Sequence, residues 1–216
     1  MVCNIKRQLI VFTRFPVAGI TKTRLISTLG ADGAALLQRD MTEHLLKRLD
    51  GVHCRPEPEV EIRFDGGDRK QMRAWLGETY TYRPQGAGSL GHRMASAFEN
   101  AFQNRADQAV LIGTDIPGLA AAAVEDAFGG LDRADVVFGP ARDGGYYLIG
   151  MHREAFVQAR ILFKGLVWGT ASVLADTLKI AAEANLRIRL LEELADVDRP
   201  EDLPVWEQET AGKPKG

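Results

Sequence analysis

Residues 109–117 read AVLIGTDIP, a short aliphatic run that ends in Gly113, Thr114 and Asp115. The run is bounded by Gly113 and Pro117, which predicts a buried central strand of a largely parallel sheet. Pro117 cannot continue a sheet ladder, and Gly113 lets a ligand approach the backbone closely. Because open α/β sheets bind ligands at the carboxyl ends of their strands, Asp115 is the first candidate metal or substrate ligand. The alternative interpretation is that Asp115 caps the following helix.

Strand and helix patterns alternate along the rest of the chain. Strands are predicted at residues 8–14, 60–64, 79–83, 109–113, 135–139, 145–150 and 187–191. Helices are predicted from Lys22 through Leu49 and at residues 68–76, 90–102, 120–131 and 170–185. This alternation predicts an α/β fold of three layers, with a mostly parallel mixed sheet flanked by helices. We expect one domain over residues 1–206, followed by a flexible tail at residues 207–216.

Composition excludes several classes of function. The chain has 216 residues and a net charge of −2, so no general basicity indicates a nucleic-acid partner. No run is long and apolar enough to predict a membrane span or a signal peptide. The two cysteines, Cys3 and Cys54, have no metal-binding spacing, which favours free thiols in the cytoplasm. The oligomeric state stays open.

A basic, glycine-containing loop follows the first strand. Residues 15–25 read FPVAGITKTRL, and Gly19 allows the tight backbone approach that phosphate binding requires. Arg14, Lys22 and Arg24 supply positive charge for a diphosphate or triphosphate. The loop matches neither the P-loop nor the dinucleotide-binding pattern. A solvated turn with surface charges remains the alternative.

A second glycine-rich loop precedes the helix predicted at residues 90–102. Residues 85–94 read QGAGSLGHRM, in which Gly86, Gly88 and Gly91 leave room for a ligand. The amide of Gln85 can recognise the edge of a base or a hydroxyl group. Arg93 can contact a phosphate or pair with an acid.

Two acidic segments follow later strands. Asp143, Gly144 and Gly145 form a turn in the segment GPARDGGYY, and a plain hairpin explains this turn equally well. Residues 192–209 contain eight acids and one base, Arg199. Asp198, just before a proline, either caps a helix or joins Asp115 at a divalent cation, since Mg²⁺ prefers oxygen ligands.

Taken in order, these segments resemble the nucleotide-diphospho-sugar transferase-like family, which is similar to Rossmann-like GT-A type glycosyltransferases. The matching stretches are FPVAGITKTRL, QGAGSLGHRM, GTDIPGL, FGPARDGGYYLIGM, LFKGLVWGTASVLADTL and DVDRPEDL. The KTRL stretch also resembles guanylyltransferases that activate phospholactate, and DVDRPEDL resembles sugar-nucleotide synthetases. Two positions depart from the family pattern, Arg14 in place of lysine and Ala18 in place of proline.

The resemblance implies roles for individual residues. It places metal binding by Mg²⁺ or Mn²⁺ on Asp115 and Asp198, and catalysis on Lys22, Arg24 and Asp115. It implies nucleotide binding by the two glycine loops, through Arg14, Gly19, Lys22, Arg24, Gln85, Gly86, Gly88 and Gly91. It implies acceptor or sugar contacts by Asp143, Gly144, Gly145 and Trp168, although core packing explains Trp168 equally well.

The sequence therefore predicts a metal-dependent transferase that acts on an activated nucleotide and a small-molecule acceptor. Glycosyl transfer from a nucleotide sugar is favoured by the extent of the resemblance. Nucleotidyl transfer from a nucleoside triphosphate, with release of pyrophosphate, is favoured by the basic loop. A non-catalytic nucleotide-binding domain on the same fold is a further alternative, and a redox Rossmann enzyme is the last, against which the missing dinucleotide-binding pattern counts.

Overall fold

The computed structural model describes residues 5–211, which form a seven-stranded sheet. The strands are β1 (Arg7–Arg14), β2 (Glu59–Asp65), β3 (Thr81–Pro84), β4 (Gln108–Gly113), β5 (Val136–Pro140), β6 (Tyr146–His152) and β7 (Ile188–Leu190). Their order is β3-β2-β1-β4-β6-β5-β7. β6 runs antiparallel to both neighbours, and the other described pairs are parallel. The predicted mostly parallel mixed sheet is confirmed.

Helices cover both faces of the sheet. They are α1 (Ile26–Leu49), α2 (Arg69–Leu76), α3 (Leu90–Gln103), α4 (Ala121–Gly130), α5 (Arg153–Ala159), α6 (Val173–Glu183) and α7 (Leu203–Thr210). Apolar side chains of α1, α2 and α4 form one core with the sheet, and those of α3, α5 and α6 form a second core on its other face. The predicted three-layer arrangement is therefore confirmed. A smaller cluster joins α7 to the first half of α1 through Val197.

β4 is the buried central strand that its apolar run predicts. Val110 and Ile112 face the core under α1 and α4, whereas Ala109 and Leu111 face the core under α3. Both sets are at most 5% exposed. A strand buried on both faces needs the continuous apolar sequence that residues 109–112 provide.

The described helices depart from the prediction at three places, one of which is α7, since no helix is predicted at Leu203–Thr210. The sequence predicts no helix between the strand at residues 145–150 and the helix at residues 170–185, yet α5 and a short 3₁₀ turn at Arg160–Phe163 lie there. His152 at the N-cap of α5 makes no side-chain capping hydrogen bond, so the usual start signal is missing. The predicted first helix is interrupted at Gly30, which has φ of 73°.

The expected flexible tail overlaps the last helix. Residues 207–210 complete α7, and residues 212–216 lie outside the described residues. Cys54 is a free thiol, while Cys3 also lies outside the described part of the chain. None of the helices between residues 5 and 211 combines the length and apolar character needed to cross a membrane.

Candidate functional site

The carboxyl ends of β1, β2, β3 and β4 lie along the same side of the sheet, the carboxyl edge, because these strands are parallel. Arg14 and Asp65 are the last residues of β1 and β2. Gln85 directly follows β3, and Asp115 lies two residues beyond β4. This edge therefore collects polar residues from four strands, at the position where open α/β sheets bind ligands.

Lys22 and Asp115 are in direct contact at this edge. The ammonium Nζ of Lys22 donates to Asp115 Oδ1 and to the carbonyl of Val197, both at 2.7 Å. The backbone N–H of Val197 in turn donates to the carbonyl of Asp115 at 2.9 Å. The Lys22 side chain is 3% exposed and that of Asp115 is 51% exposed. A buried cation thus joins the strand-end acid to the acidic segment near the C-terminus.

A second ion pair lies two residues beyond Lys22 in the first segment and one residue beyond Val197 in the second. Arg24 Nη1 donates to Asp198 Oδ2, and both side chains are more than a third exposed. Asp198 does not cap a helix. The N-cap of the following 3₁₀ turn at Pro200–Asp202 is Arg199, and the carboxylate of Asp202 accepts from the backbone N–H groups of Asp198 and Arg199 at 3.1 and 2.8 Å. Asp115 is no cap either, since α4 begins six residues later at Ala121.

A buried polar network lies under the ends of β1 and β4. Thr13 and Thr42 share a hydroxyl hydrogen bond of 2.9 Å. The Gln38 amide donates to Thr42 and Thr114 hydroxyls, both at 3.2 Å. Because Thr13 precedes Arg14 and Thr114 precedes Asp115, this network fixes α1 against the two strand ends that carry the charged residues.

Gln85 is fully engaged within the protein. Its amide nitrogen donates to the carbonyls of Thr13 at 3.0 Å and Arg63 at 3.2 Å, and its oxygen accepts from Arg93 at 2.9 Å. Gln85 is also buried. The amide is expected from the sequence to recognise a base edge, but both of its N–H donors are already bonded to backbone carbonyls. Gln85 instead fixes the start of the glycine-rich loop.

Glycines give the two loops their shape. Gly19, Gly86 and Gly88 have φ values of 80°, 87° and 96°, in the left-handed region that glycine adopts without strain. Gly91 is needed for a close contact instead, because a Cβ there would lie 2.5 Å from the carbonyl oxygen of Phe163 and 2.6 Å from the Trp168 ring. Trp168 therefore packs on the start of α3.

The Asp143 turn is the β5–β6 hairpin. Asp143 Oδ1 accepts from the N–H of Gly145 at 2.8 Å, and Gly144 has φ of 87°. A Cβ on Gly144 would collide with the backbone of Ala171. The structural interpretation of this turn is confirmed, and the described contacts leave the proposed acceptor role of Asp143 a prediction. Arg14 is exposed and lies 3.7 Å from Asp65.

Asp196 joins the site although the sequence analysis did not select it. Burial, with the neighbouring charges of Asp143, Asp202 and Asp198, raises the pKa of Asp196 to about 6. The segment Asp196–Asp198 offers a signal that could have identified it. Val197 is fully buried in the cluster with α7, and alternate residues of an extended segment lie on the same side, so Asp196 and Asp198 face away together.

A cavity of about 570 Å³ lies beside these loops at the ends of β2 and β3. Its lining residues are Phe64, Asp65, Gly66, Gly67, Asp68, Arg69, Pro84 and Gly86. Gly86 belongs to the predicted nucleotide-binding loop. The turn formed by residues 65–68, which reads DGGD, was missed by the sequence analysis.

The residues present fit a hard divalent cation whose remaining ligands come from a bound phosphate and water. Within residues 5–211 no group of three or more His, Cys, Asp or Glu side chains is arranged to hold a metal. Asp115 and Asp198 supply two carboxylates, and Mg²⁺ is commonly held by one or two carboxylates together with substrate phosphates and water.

Comparisons with known proteins agree with this fold. A family model described as "Uncharacterized protein conserved in bacteria (DUF2064)" matches residues 48–170, more than half of the chain. The crystal structure of a "putative nucleotide-diphospho-sugar transferase" from Desulfovibrio desulfuricans G20 is 33% identical, with a TM-score of 0.88. The match covers 97% of this chain and 89% of that chain, and it bears out the family resemblance. Among curated proteins, none matches the sequence.

Two more distant structures share the fold. One is CMP:2-keto-3-deoxy-manno-octonic acid synthetase complexed with CTP, at 16% identity and a TM-score of 0.60, covering 95% of this chain and 98% of that one. The other is Rv0371c of Mycobacterium tuberculosis H37Rv complexed with manganese, at 17% identity and a TM-score of 0.53, covering 93% and 97%.

Proposed function

The chain belongs to the bacterial DUF2064 family, and from its site we propose that it is a metal-dependent transferase acting on an activated nucleotide. Glycosyl transfer from a nucleotide sugar to a small-molecule acceptor is the reaction that we favour. The 33% identical neighbour, described as a nucleotide-diphospho-sugar transferase, supports this choice over most of the chain. We keep the cytoplasmic location expected from the sequence as part of the proposal.

The observation that supports the proposal is a pair of ion pairs, formed by two cations and two carboxylates at the carboxyl edge. Lys22 contacts Asp115, and Arg24 contacts Asp198. The partners in each pair lie 93 and 174 positions apart in the sequence. Such paired charges can exchange partners, because a diphosphate offers new acceptors to the cations while a metal ion offers a new partner to the acids.

Each charged residue then has a distinct task. Lys22 and Arg24 donate hydrogen bonds to phosphate oxygens and stabilise the negative charge that develops on the leaving phosphate. Asp115 and Asp198 would hold Mg²⁺ or Mn²⁺, which supplies a Lewis acid for the diphosphate when bound. Arg14, on the rim of the same edge, adds positive charge for the phosphates.

The two glycine loops bind the nucleotide in this proposal. Gly19, Gly86 and Gly88 allow close backbone approach, Gly91 instead seats the start of α3 against Trp168, and the cavity beside Gly86 accommodates the nucleoside. Gln85 acts here as a support for the loop. We assign the acceptor side to Asp143, Gly144, Gly145 and Trp168, because the hairpin turn and the Trp168 segment pack against each other through Ala171.

Nucleotidyl transfer is the second candidate, and the basic first loop favours it. Lys22, Arg24 and Arg14 place three cations in or beside one loop, which suits a triphosphate better than a diphosphate. In that reaction a small phosphorylated metabolite would attack the α-phosphate and pyrophosphate would leave. The products distinguish the two reactions.

The first experiment measures thermal unfolding with Mn²⁺ and a panel of nucleoside triphosphates and nucleotide sugars. A ligand at 100 times its dissociation constant adds about 2.7 kcal/mol, a shift of about 5–10 °C for a chain of this size. A larger shift with a nucleotide sugar supports glycosyl transfer, and a larger shift with a triphosphate directs the assay to pyrophosphate release. No metal-dependent shift with any of them refutes the proposal and favours a non-catalytic domain.

A variant of Asp115 tests the metal site directly. Asp115→Asn keeps the side-chain shape but loses the charge, so metal-dependent nucleotide binding should weaken at least about tenfold. Glu59→Gln is the matched control, because Glu59 also pairs with a lysine, Lys6, but at the opposite edge of the sheet. Unchanged binding in Asp115→Asn would contradict the assignment.

A further inference from the structure

The cavity at the ends of β2 and β3 has the construction of a base pocket. Its volume of about 570 Å³ lies within the usual range for small-molecule sites. Pro84 provides exposed apolar surface for a planar ring, Phe64 lies in the core beneath the cavity, and Gly66, Gly67 and Gly86 contribute backbone without side chains. A cavity of this size with three glycines in its lining has room for a flat heterocycle.

Two of the three charged side chains that line this cavity, Asp65 and Asp68, are carboxylates. Asp65 Oδ2 is approached by Arg93 at 3.4 Å and Arg14 at 3.7 Å, whereas Asp65 Oδ1 has no hydrogen-bond partner among residues 5–211. Gln85, the neutral amide next to the cavity, has both of its donors occupied by backbone carbonyls. An ionised carboxylate only accepts hydrogen bonds, so Asp65 selects a ligand edge that donates.

One cation completes the lining. Arg69 is the basic residue among the cavity's lining residues, and it forms no ion pair within the described part of the chain. Its guanidinium is free to donate to a carbonyl oxygen or ring nitrogen of a bound base. The cavity therefore offers a carboxylate acceptor and a guanidinium donor to one planar ligand.

We propose that this cavity binds guanine, with Asp65 as the residue that determines base specificity. Guanine places two donors side by side, N1–H and the N2 amino group, beside the O6 acceptor. Adenine and cytosine place a ring acceptor beside their amino group, and uracil places N3–H between two carbonyl oxygens. Of the four bases, guanine alone can donate to both oxygens of one carboxylate.

The inference rests on the proposed function, since it names the base of the same nucleotide. Its test uses nucleoside diphosphates with Mn²⁺, because the base and diphosphate are common to both candidate reactions. Calorimetric titration should give GDP at least about tenfold tighter binding than ADP, CDP or UDP. IDP, which lacks the N2 amino group, should bind about tenfold more weakly than GDP.

Asp65→Asn provides the decisive variant. An asparagine amide accepts from N1–H and donates to the C2 carbonyl of xanthine, so this variant should prefer XDP to GDP and reverse the wild-type order. Because the comparison is a ratio within one variant, a general loss of affinity cannot imitate it. Asp107→Asn is the matched control, since Asp107 has the same side-chain exposure (46%, against 45% for Asp65) and pairs with Arg153 at the opposite edge.

The outcomes distinguish a wrong base assignment from a wrong proposed function. A preference for GDP that Asp65→Asn turns to XDP supports the inference. Binding of diphosphates with another preferred base, with no preference, or with a GDP preference that survives in Asp65→Asn overturns the inference alone. Absence of binding by every diphosphate overturns the proposed function and the inference with it.

Discussion

Lys22 combines burial, charge and an unfavourable backbone conformation. Its φ of 47° lies in the left-handed region, which costs a non-glycine residue about 1–3 kcal/mol. Burial of an ammonium group is also costly unless it is paired and hydrogen-bonded. The two 2.7 Å contacts, to Asp115 and to the Val197 carbonyl, offset these costs. A position that stores strain in this way beside a strand-end carboxylate is typical of a functional site.

Lys22→Gly tests the ammonium group without disturbing the backbone. Glycine adopts a φ of 47° freely, and Asp115 is half-exposed and can be solvated, so the variant should fold. We expect the dissociation constant of Mn²⁺–nucleotide to rise about 10–100-fold, because a charge-assisted hydrogen bond is worth about 1.5–3 kcal/mol. Calorimetry measures this change. Lys6→Met, which removes a lysine at the opposite edge, is the control, and equal binding in both variants would contradict the role of Lys22.

At the residue scale, the sequence predicts which residues share the site but not their contacts. Because the carboxyl ends of parallel strands lie on the same side of a sheet, the sequence places Asp115 and the basic loop together, and both follow the carboxyl ends of the parallel strands β4 and β1. The direct bond between Lys22 and Asp115 depends on the path of the chain between them, which no local pattern encodes. Gln85 is expected from the sequence to contact the ligand, but its donors bond instead to the carbonyls of Thr13 and Arg63 on two other strands.

At the element scale, the start of α3 depends on a glycine that a helix would normally disfavour. In Gly91→Ala the new methyl group would lie 2.5 Å from the Phe163 carbonyl oxygen and 2.6 Å from the Trp168 ring. Such overpacking should lower the free energy of unfolding by about 1–3 kcal/mol, measured by denaturant titration. Gly129→Ala is the control, since nothing lies within 4 Å of its added Cβ in α4 and alanine favours helix. Equal stability of the two variants would contradict this packing.

The start of β5 is tied to the start of β7 by Asp135 and Arg187. Asp135 accepts from the Arg187 backbone N–H at 2.8 Å and from its guanidinium at 2.7 and 3.1 Å. Hydrogen bonds from Arg187 hold the pKa of Asp135 below its usual value, despite the opposing effect of burial. A carboxyl whose pKa is lower in the folded state stabilises the fold above its unfolded pKa, and this contribution disappears as the pH falls through the folded pKa.

Asp135→Asn should therefore destabilise the protein in a pH-dependent way. At neutral pH we expect a small loss in the free energy of unfolding, because the charged hydrogen bonds weaken while solvent screens the exposed Arg187 guanidinium. Below the lowered pKa of Asp135 the wild-type carboxyl is protonated, so the two proteins should approach equal stability. Urea titrations from pH 7 down to pH 3 measure the difference. A difference that stays constant over this range would show that the ion pair does not carry the effect.

Elements with strong local signals were predictable, and those without them were not. The apolar run at residues 109–112 predicts β4, and Asp68 predicts the start of α2, where its side chain accepts from Gln71 in a capping box. α5 lacks a capping side chain and buries only Ala155 and Ala159, so neither a start signal nor an apolar stripe marks it. Its position depends on packing against β6 and α3, which is tertiary information.

At the scale of the whole molecule, the two ion pairs at the carboxyl edge join distant parts of the chain. The N-terminal segment brings Lys22 and Arg24, and the C-terminal segment brings Asp198 to lie near Asp115. The fold unites a basic start and an acidic end of the chain, whose overall charge is only −2. Because Asp115 and Asp198 each already have a cation as partner, these two carboxylates have little charge left to retain a divalent ion in the free protein.

These ion pairs predict how the protein responds to chelation. In the absence of nucleotide, EDTA should leave the unfolding temperature unchanged, because residues 5–211 contain no group of three or more metal-binding side chains. With Mn²⁺ and a bound nucleotide, EDTA should remove most of the stabilisation, since phosphate oxygens and the two aspartates hold the ion together. Differential scanning fluorimetry with and without EDTA measures both effects. A fall in the unfolding temperature of the free protein would reveal a resident metal and contradict the shared site. Full stabilisation by nucleotide in EDTA would show instead that Lys22 and Arg24 bind the phosphates without a metal.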